Sequence, residues 1–369
     1  MRRLHFALLA LILLVAQPLL AKTYYVGSCK TGAYSTIGAA VAAVPAGSIV
    51  DVCPGTYPEQ VVISQPLTLQ GYASGGSSQA IIAMPGAGLT TTTSIIFGTV
   101  AAQVEVNAGP VNITGITVDG NAANSICPGV QDIGVFYGSG ASGTVNEVQT
   151  QFQDCNGLGV GIWAENGNQA ETTVTIENSN TTLASYAGIY LAGSTLKATV
   201  KNNYIVQNSS YGIAGNHITG STISGNVVYA NSANSGIDLS GASTATGNVI
   251  TGGNAGILLG DGPTVSGNTI TGAGGGIWLD GVATVTSNHI SNSTFGILTA
   301  VSGSTIQNNF MSQVEIGIEF FCSTATVTGN TVGGPGDMGP GVGFDEFTGT
   351  STGNNKFYNV ATFTTAGCS

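Results

Sequence analysis

Arginine is missing from all but the start of this 369-residue chain, where it stands at positions 2 and 3. Beyond that point no guanidinium fork exists to clamp a carboxylate or phosphate. Basic charge is scarce altogether, because residues 22–369 hold five lysines against 18 acids, a net charge of −13. That balance excludes the basic footprint of a nucleic-acid binder. Charged residues make up 7 % of the chain, far below the ~25 % of ordinary soluble domains. A long apolar run is lacking too. The stretch 6–16 is too short to cross a bilayer, and with Arg2 and Arg3 before it and Ala21 after it, it reads as a secretory signal over residues 1–21. The sequence therefore predicts an exported chain, residues 22–369, without a transmembrane segment, secreted or periplasmic.

What the chain has in excess is glycine, 56 residues, beside 42 % apolar residues. So much glycine argues against a helical enzyme, and so many apolar residues argue against disorder. Six cysteines (29, 53, 127, 155, 322 and 368) all lie past the signal, an even count that points to disulfides. Pairing of neighbours would join Cys29 to Cys53, Cys127 to Cys155 and Cys322 to Cys368, one of 15 possible connectivities. No CxxC spacing indicates zinc.

A repeat organises the rest. Glycine followed by an apolar residue recurs at Gly134, Gly161, Gly188, Gly212, Gly236, Gly256, Gly276, Gly296, Gly317 and Gly343, in steps of 20–27 residues. An asparagine column rides in phase at Asn203, Asn226, Asn248, Asn268, Asn288, Asn309 and Asn330. Between these markers, β-branched residues alternate with period two. A unit of this length cannot bury its own apolar face, so each must stack on the next, strand upon parallel strand. The expected fold is all-β, a single right-handed parallel β-helix (solenoid) of about ten coils, with regular coils over 130–360. Glycine is expected to supply positive-φ corners, and the asparagines an internal hydrogen-bonded ladder. Residues 34–44, with Ser35 or Thr36 as N-cap and Pro45 as stop, predict a short helix capping the open N-terminal end.

The segment Ser35-Thr-Ile37, Ala40, Pro45-x-Gly47-x-Ile49, Pro54-Gly-Thr-Tyr57-x-Glu59-x-Val61-x-Ile63 and Leu67-x-Leu69-x-Gly71 resembles the opening of the pectin lyase-like superfamily, notably pectin methylesterases. The later Gly-Ile-x-Leu coils resemble the β-helix repeats of that superfamily, including NosD-type proteins. The resemblance implies the fold over nearly the whole exported chain and leaves activity open, since this architecture hosts lyases, hydrolases, esterases, epimerases and non-catalytic proteins. The arginine typical of its pectate lyases and methylesterases is absent. So are the four polygalacturonase motifs, and Trp278-Leu279-Asp280-Gly281 lacks the histidine of the lyase stretch it resembles.

With isoleucine pointing inward, the residue after it points to solvent, and the coils stack these into one column. It reads Trp163, Tyr190, Ala214, Asp238, Leu258, Trp278, Leu298, Glu319 and Asp345. Aromatic faces beside carboxylates suit a glycan, with Trp163, Tyr190, Asp238 and Trp278 as its contacts. Glu319 and Asp345, on adjacent coils ~4.8 Å apart, are candidate catalytic carboxylates together with Asp280. With Glu346 they are equally a candidate Ca²⁺ site, and no other cofactor is expected. Asp238 and Asp280 fall roughly 11–12 Å apart on the strand lattice, too far for direct cooperation. His217 and His289 sit at corners beside the asparagine column. The acidic chain suits neutral glycans better than polyanions. The reading is a protein that binds polysaccharide along this column; a polysaccharide hydrolase, lyase or epimerase, or a structural solenoid or adhesin, are the alternatives.

Overall fold

A computed structural model describes residues 21–364 apart from 73–78, 122–129, 155–156, 168, 231–233, 336–340, 346–349 and 352. Strands of three or more residues follow one another in repeating coils, and strands of successive coils pair in parallel. One coil shows the plan: Thr264–Ser266, Thr269–Thr271 and Gly275–Leu279 are separated by short corners. The first of these ranks builds a 14-stranded sheet, and the other two share a second sheet. The protein is a β-solenoid of about 13 turns.

The turn count exceeds the ten expected because the marker pattern starts late. Strands Thr23–Val26, Ser48–Val52, Leu67–Gly71 and Val111–Thr114 join the same sheet in order, yet no Gly-Ile pair precedes Gly115.

Inside, Ile162, Ile189, Ile213, Ile237, Ile257, Ile277, Ile297 and Ile318 pair in register, all fully buried. Each such side chain removed from water stabilises the coil by about 1.5–3 kcal/mol. The glycine before each isoleucine has a different reason from the one expected. A Cβ on Gly256 would lie 2.4 Å from Ile270 Cγ2 and 2.7 Å from the Gly276 carbonyl oxygen. Space, not positive φ, demands glycine there. The left-handed corner falls just ahead of the asparagine column, as at Gly267 with φ 62°.

The ladder itself is as expected. Asn248 Nδ2 donates to Asn268 Oδ1 at 2.9 Å, and Asn268 Nδ2 to Asn288 Oδ1 at 2.9 Å, with the pattern running from Asn203 on to Asn355. Each Oδ1 also accepts the backbone N–H of the preceding ladder residue.

At the N-terminal end the helix Ile37–Ala43 buries Ile37, Ala40 and Val41 against the first coils. Thr36 is the N-cap, accepting from Ala39 N–H, and Glu59 accepts from the free N–H groups of Ile37 and Gly38 at 2.8 Å each. Beside it, Cys29 and Cys53 form a disulfide, Cα atoms 5.7 Å apart. Cys322 is disulfide-bonded as well; Cys127, Cys155 and Cys368 lie outside the described residues. No described helix is long and apolar enough to cross a membrane.

Candidate functional site

The outward column holds its expected register. Phe136 pairs with Trp163, and the series continues through Tyr190, Ala214, Asp238, Leu258, Trp278, Leu298, Glu319 and Asp345. Its exposure differs from the expectation. Trp163 is 0 % exposed and Phe136 1 %, because a hairpin lies across them.

That hairpin pairs Thr91–Ser94 antiparallel with Gly98–Val106, the rest of the fold being parallel in every described pairing. Its tip is Ile95-Ile96-Phe97. Phe97 sets its ring edge-on to Trp163 (centroids 5.3 Å), Tyr190 (5.9 Å) and Tyr186 (6.2 Å). Glu165 holds the tip down, accepting from Ser94 Oγ at 2.7 Å and from Ile95 N–H at 2.9 Å. Burial raises the pKa of that carboxyl, and the two hydrogen bonds oppose the rise. Trp163 is thus part of a second apolar cluster outside the solenoid, and its ring faces protein instead of ligand.

Where the hairpin ends, a cleft of about 190 Å³ opens, lined by Tyr186, Tyr190, Tyr211, Ala214, Gly215, Asn216, Asp238 and Ser240. Two expected residues, Tyr190 and Asp238, lie in it. Tyr186 and Tyr211 were missed. They sit at the entry of the same strands, Tyr211 pairing with Ala187, and the reading followed only the position after isoleucine. Tyrosine was the available signal, since the rings of Tyr186 and Tyr211 lie 5.5 Å apart, edge to face.

The electrostatics centre on Asp238. Burial first, and the negative charge of Asp280 second, push its pKa up to about 6. Asp280, itself exposed, therefore reaches Asp238 electrostatically despite the offset of two coils. Burial pushes the Tyr186 hydroxyl up to about 12, with Tyr190, Tyr211 and Asp238 adding to the rise. The cleft thus combines three phenols, a carboxyl that takes up a proton near pH 6, and the Asn216 amide. Beyond it, Leu258 and Trp278 are half-buried.

The other candidates lie elsewhere. Glu319 and Asp345 pair in register on adjacent coils, as expected, with Glu319 buried; Glu346 lies outside the described residues. His217 is exposed, its ring hydrogen-bonded to the Asn216 side chain, while His289 packs at a tilt against Phe310, ring centroids 4.8 Å apart.

Residues 141–286 match the model of the right-handed β-helix region. The chain carries a right-handed parallel β-helix. Residues 240–367 of this β-helix also match the model described as periplasmic copper-binding protein NosD. Copper takes imidazole and sulfur donors. In the matched stretch His289 stands alone on the surface, Met311 is fully buried and Cys322 is in a disulfide. Among the described residues no group of three His, Cys, Asp or Glu could hold a metal, so the described donors do not make up a copper site. No curated protein sequence matches the chain.

Solved structures share the β-helix fold. The catalytic unit of a thermostable GH87 α-1,3-glucanase from Streptomyces thermodiastaticus matches with TM-score 0.62 and 18 % identity, over 93 % of this chain and 70 % of that one. The tailspike protein of E. coli bacteriophage HK620, in complex with pentasaccharide, gives 0.60 and 12 %, over 84 % and 64 %. The mannuronan C-5 epimerase AlgE6 A-module of Azotobacter vinelandii gives 0.55 and 16 %, over 87 % and 92 %.

Proposed function

We propose that this β-helix is an exported, secreted or periplasmic, glycan-binding protein whose ligand sits in the tyrosine–aspartate cleft and runs along the column toward Trp278. The observation that carries this reading is the cleft itself. Three phenol rings and a carboxyl converge on one hollow of the solenoid wall, giving apolar faces and hydrogen-bond partners side by side. The disulfide Cys29–Cys53 agrees with export, and the polysaccharide-related proteins of like fold agree with the ligand class. With five lysines against 18 acids past residue 21, a neutral glycan suits the protein best, and a polyanion would call for Ca²⁺. Retention on a panel of neutral and uronic-acid polysaccharides, with and without Ca²⁺, tests it. Retention of wild type on a neutral polymer is expected, weakened at least tenfold in Tyr211→Ala. Absence of retention on every polymer rejects the reading.

A second reading, glycoside hydrolysis without arginine, is favoured by the raised pKa of Asp238. Protonated, it can donate to the glycosidic oxygen as the C–O bond breaks, while water adds to the anomeric carbon and releases its proton to solvent. The rate then falls as pH rises through about 6, where Asp238 loses its proton, and Asp238→Asn lowers kcat by at least a hundredfold. The release of reducing ends, followed from pH 4 to 8, reads both effects; a flat profile, or full activity in Asp238→Asn, removes Asp238 as the acid.

A further inference from the structure

We propose that the hairpin tip is an end stop: Phe97 closes the column on the N-terminal side of the cleft, so the site receives the terminus of a glycan chain and not an internal segment. This rests on the glycan-binding reading above and adds to it the part of the polymer that is recognised.

The column runs along the solenoid axis, and a chain lying on it must follow that axis. Toward the C-terminus the way continues from Asp238 past half-buried Leu258 and Trp278. From Tyr190 to Trp278 is four coil steps, about 19 Å. Toward the N-terminus the next column residue after Tyr190 is Trp163, fully buried. Phe97 stands over both, and its ring borders Tyr186, which lines the cleft. The cleft is therefore blind at this end.

The stop is fixed, not a loose flap. Glu165, 1 % exposed, accepts from Ser94 Oγ and Ile95 N–H. Ser94 Oγ accepts in turn from Ile96 N–H at 3.1 Å. Ile95 packs on the loop after Glu165, where a Cβ on Gly167 would lie 3.3 Å from Ile95 Cγ2. Phe97 itself remains 42 % exposed, and truncating it opens the blind end at the cost of its edge contacts to Trp163, Tyr186 and Tyr190.

The test uses the full chain and an array of linear neutral oligosaccharides, each printed through its reducing end and again through its non-reducing end. Each is presented with its free end bare and with that end capped by an additional bulky sugar. Wild type is expected to bind bare glycans in one printing orientation and to lose at least tenfold on capping. Phe97→Ala, checked for cooperative unfolding, reduces that penalty to less than threefold. Phe97→Leu, which keeps an apolar side chain at the tip, is expected to retain most of it and guards against a folding defect in the smaller variant. Equal binding of bare and capped glycans by wild type overturns the end stop while leaving the glycan-binding reading intact. A capping penalty unchanged in Phe97→Ala overturns the role of Phe97, and no binding to any printed form overturns both statements.

Discussion

Replacing Asp132 by Asn is expected to stabilise the protein at pH 8 by about 2–4 kcal/mol, the gain from removing a buried charge less the cost of a buried amide, and to weaken its pH dependence. Asp132 is 2 % exposed, and its Oδ1 has no hydrogen-bond partner among the described residues. Neighbouring Gln131 leaves both atoms of its amide unpartnered among the described residues as well. Burial, and then the charge of Asp154, push the Asp132 carboxyl up to about 7. No lysine or arginine lies between residues 31 and 196 to offset it. Below about pH 3.8 both folded and unfolded chains hold the proton, and the site costs nothing. Between about 3.8 and 7 the unfolded chain releases it while the folded chain keeps it, so stability falls as pH rises; above about 7 the loss is constant. Asn carries no charge to bury, so the variant loses this share of the fall, while the share of Asp238 remains. Urea unfolding of both proteins at pH 4, 6 and 8 measures this. Equal pH dependence in the two would mean that Asp132 is compensated in the folded protein.

The second large effect belongs to the asparagine ladder. Asn268→Ala should lower the unfolding free energy by about 3–5 kcal/mol, because the partners it strands are buried. Asn268 Oδ1 accepts from both Asn248 N–H and Asn248 Nδ2, and Asn268 Nδ2 donates to the Ala245 carbonyl and to Asn288. Removing the amide leaves two donors and a carbonyl unmade on a fully buried rung. Asn355, the end of the described ladder, is half-buried, so water can replace its bonds, and Asn355→Ala should cost about 1 kcal/mol. Equilibrium unfolding in urea compares them. Equal costs would show that the ladder is a surface feature whose bonds water replaces freely.

Much of this molecule could be read from its sequence, and the reasons lie in the repeat. A side chain in a solenoid is positioned by its neighbours one coil away, so phase alone assigns Ile257 to the core, Asn268 to the ladder and Asp238 to the outer wall. The helix at Ile37–Ala43 followed from Thr36 and Pro45 in the same local way. What escaped depends on contacts that have no period. The hairpin tip Ile95-Ile96-Phe97 covers Trp163 from 66 residues away along the chain, and nothing in the column reveals a cover. An unpaired run of three apolar residues outside the repeat was the available sign. Tyr186 and Tyr211 escaped because they enter the cleft from the strand's beginning, one face of a corner that the alternation rule does not describe. The crowding at Gly256 escaped because a glycine excluded by sterics and one chosen for positive φ look alike in sequence.

The most direct test of the glycan cleft uses the two tryptophans. In Trp163→Phe the remaining indole is Trp278, half-buried on the open stretch of the column. Titration with the neutral polysaccharide that the protein retains should shield Trp278 from acrylamide, lowering the quenching constant at least twofold and saturating with the occupancy read from retention. A quenching constant that stays unchanged while the polysaccharide is held would place the glycan elsewhere on the solenoid and contradict the account.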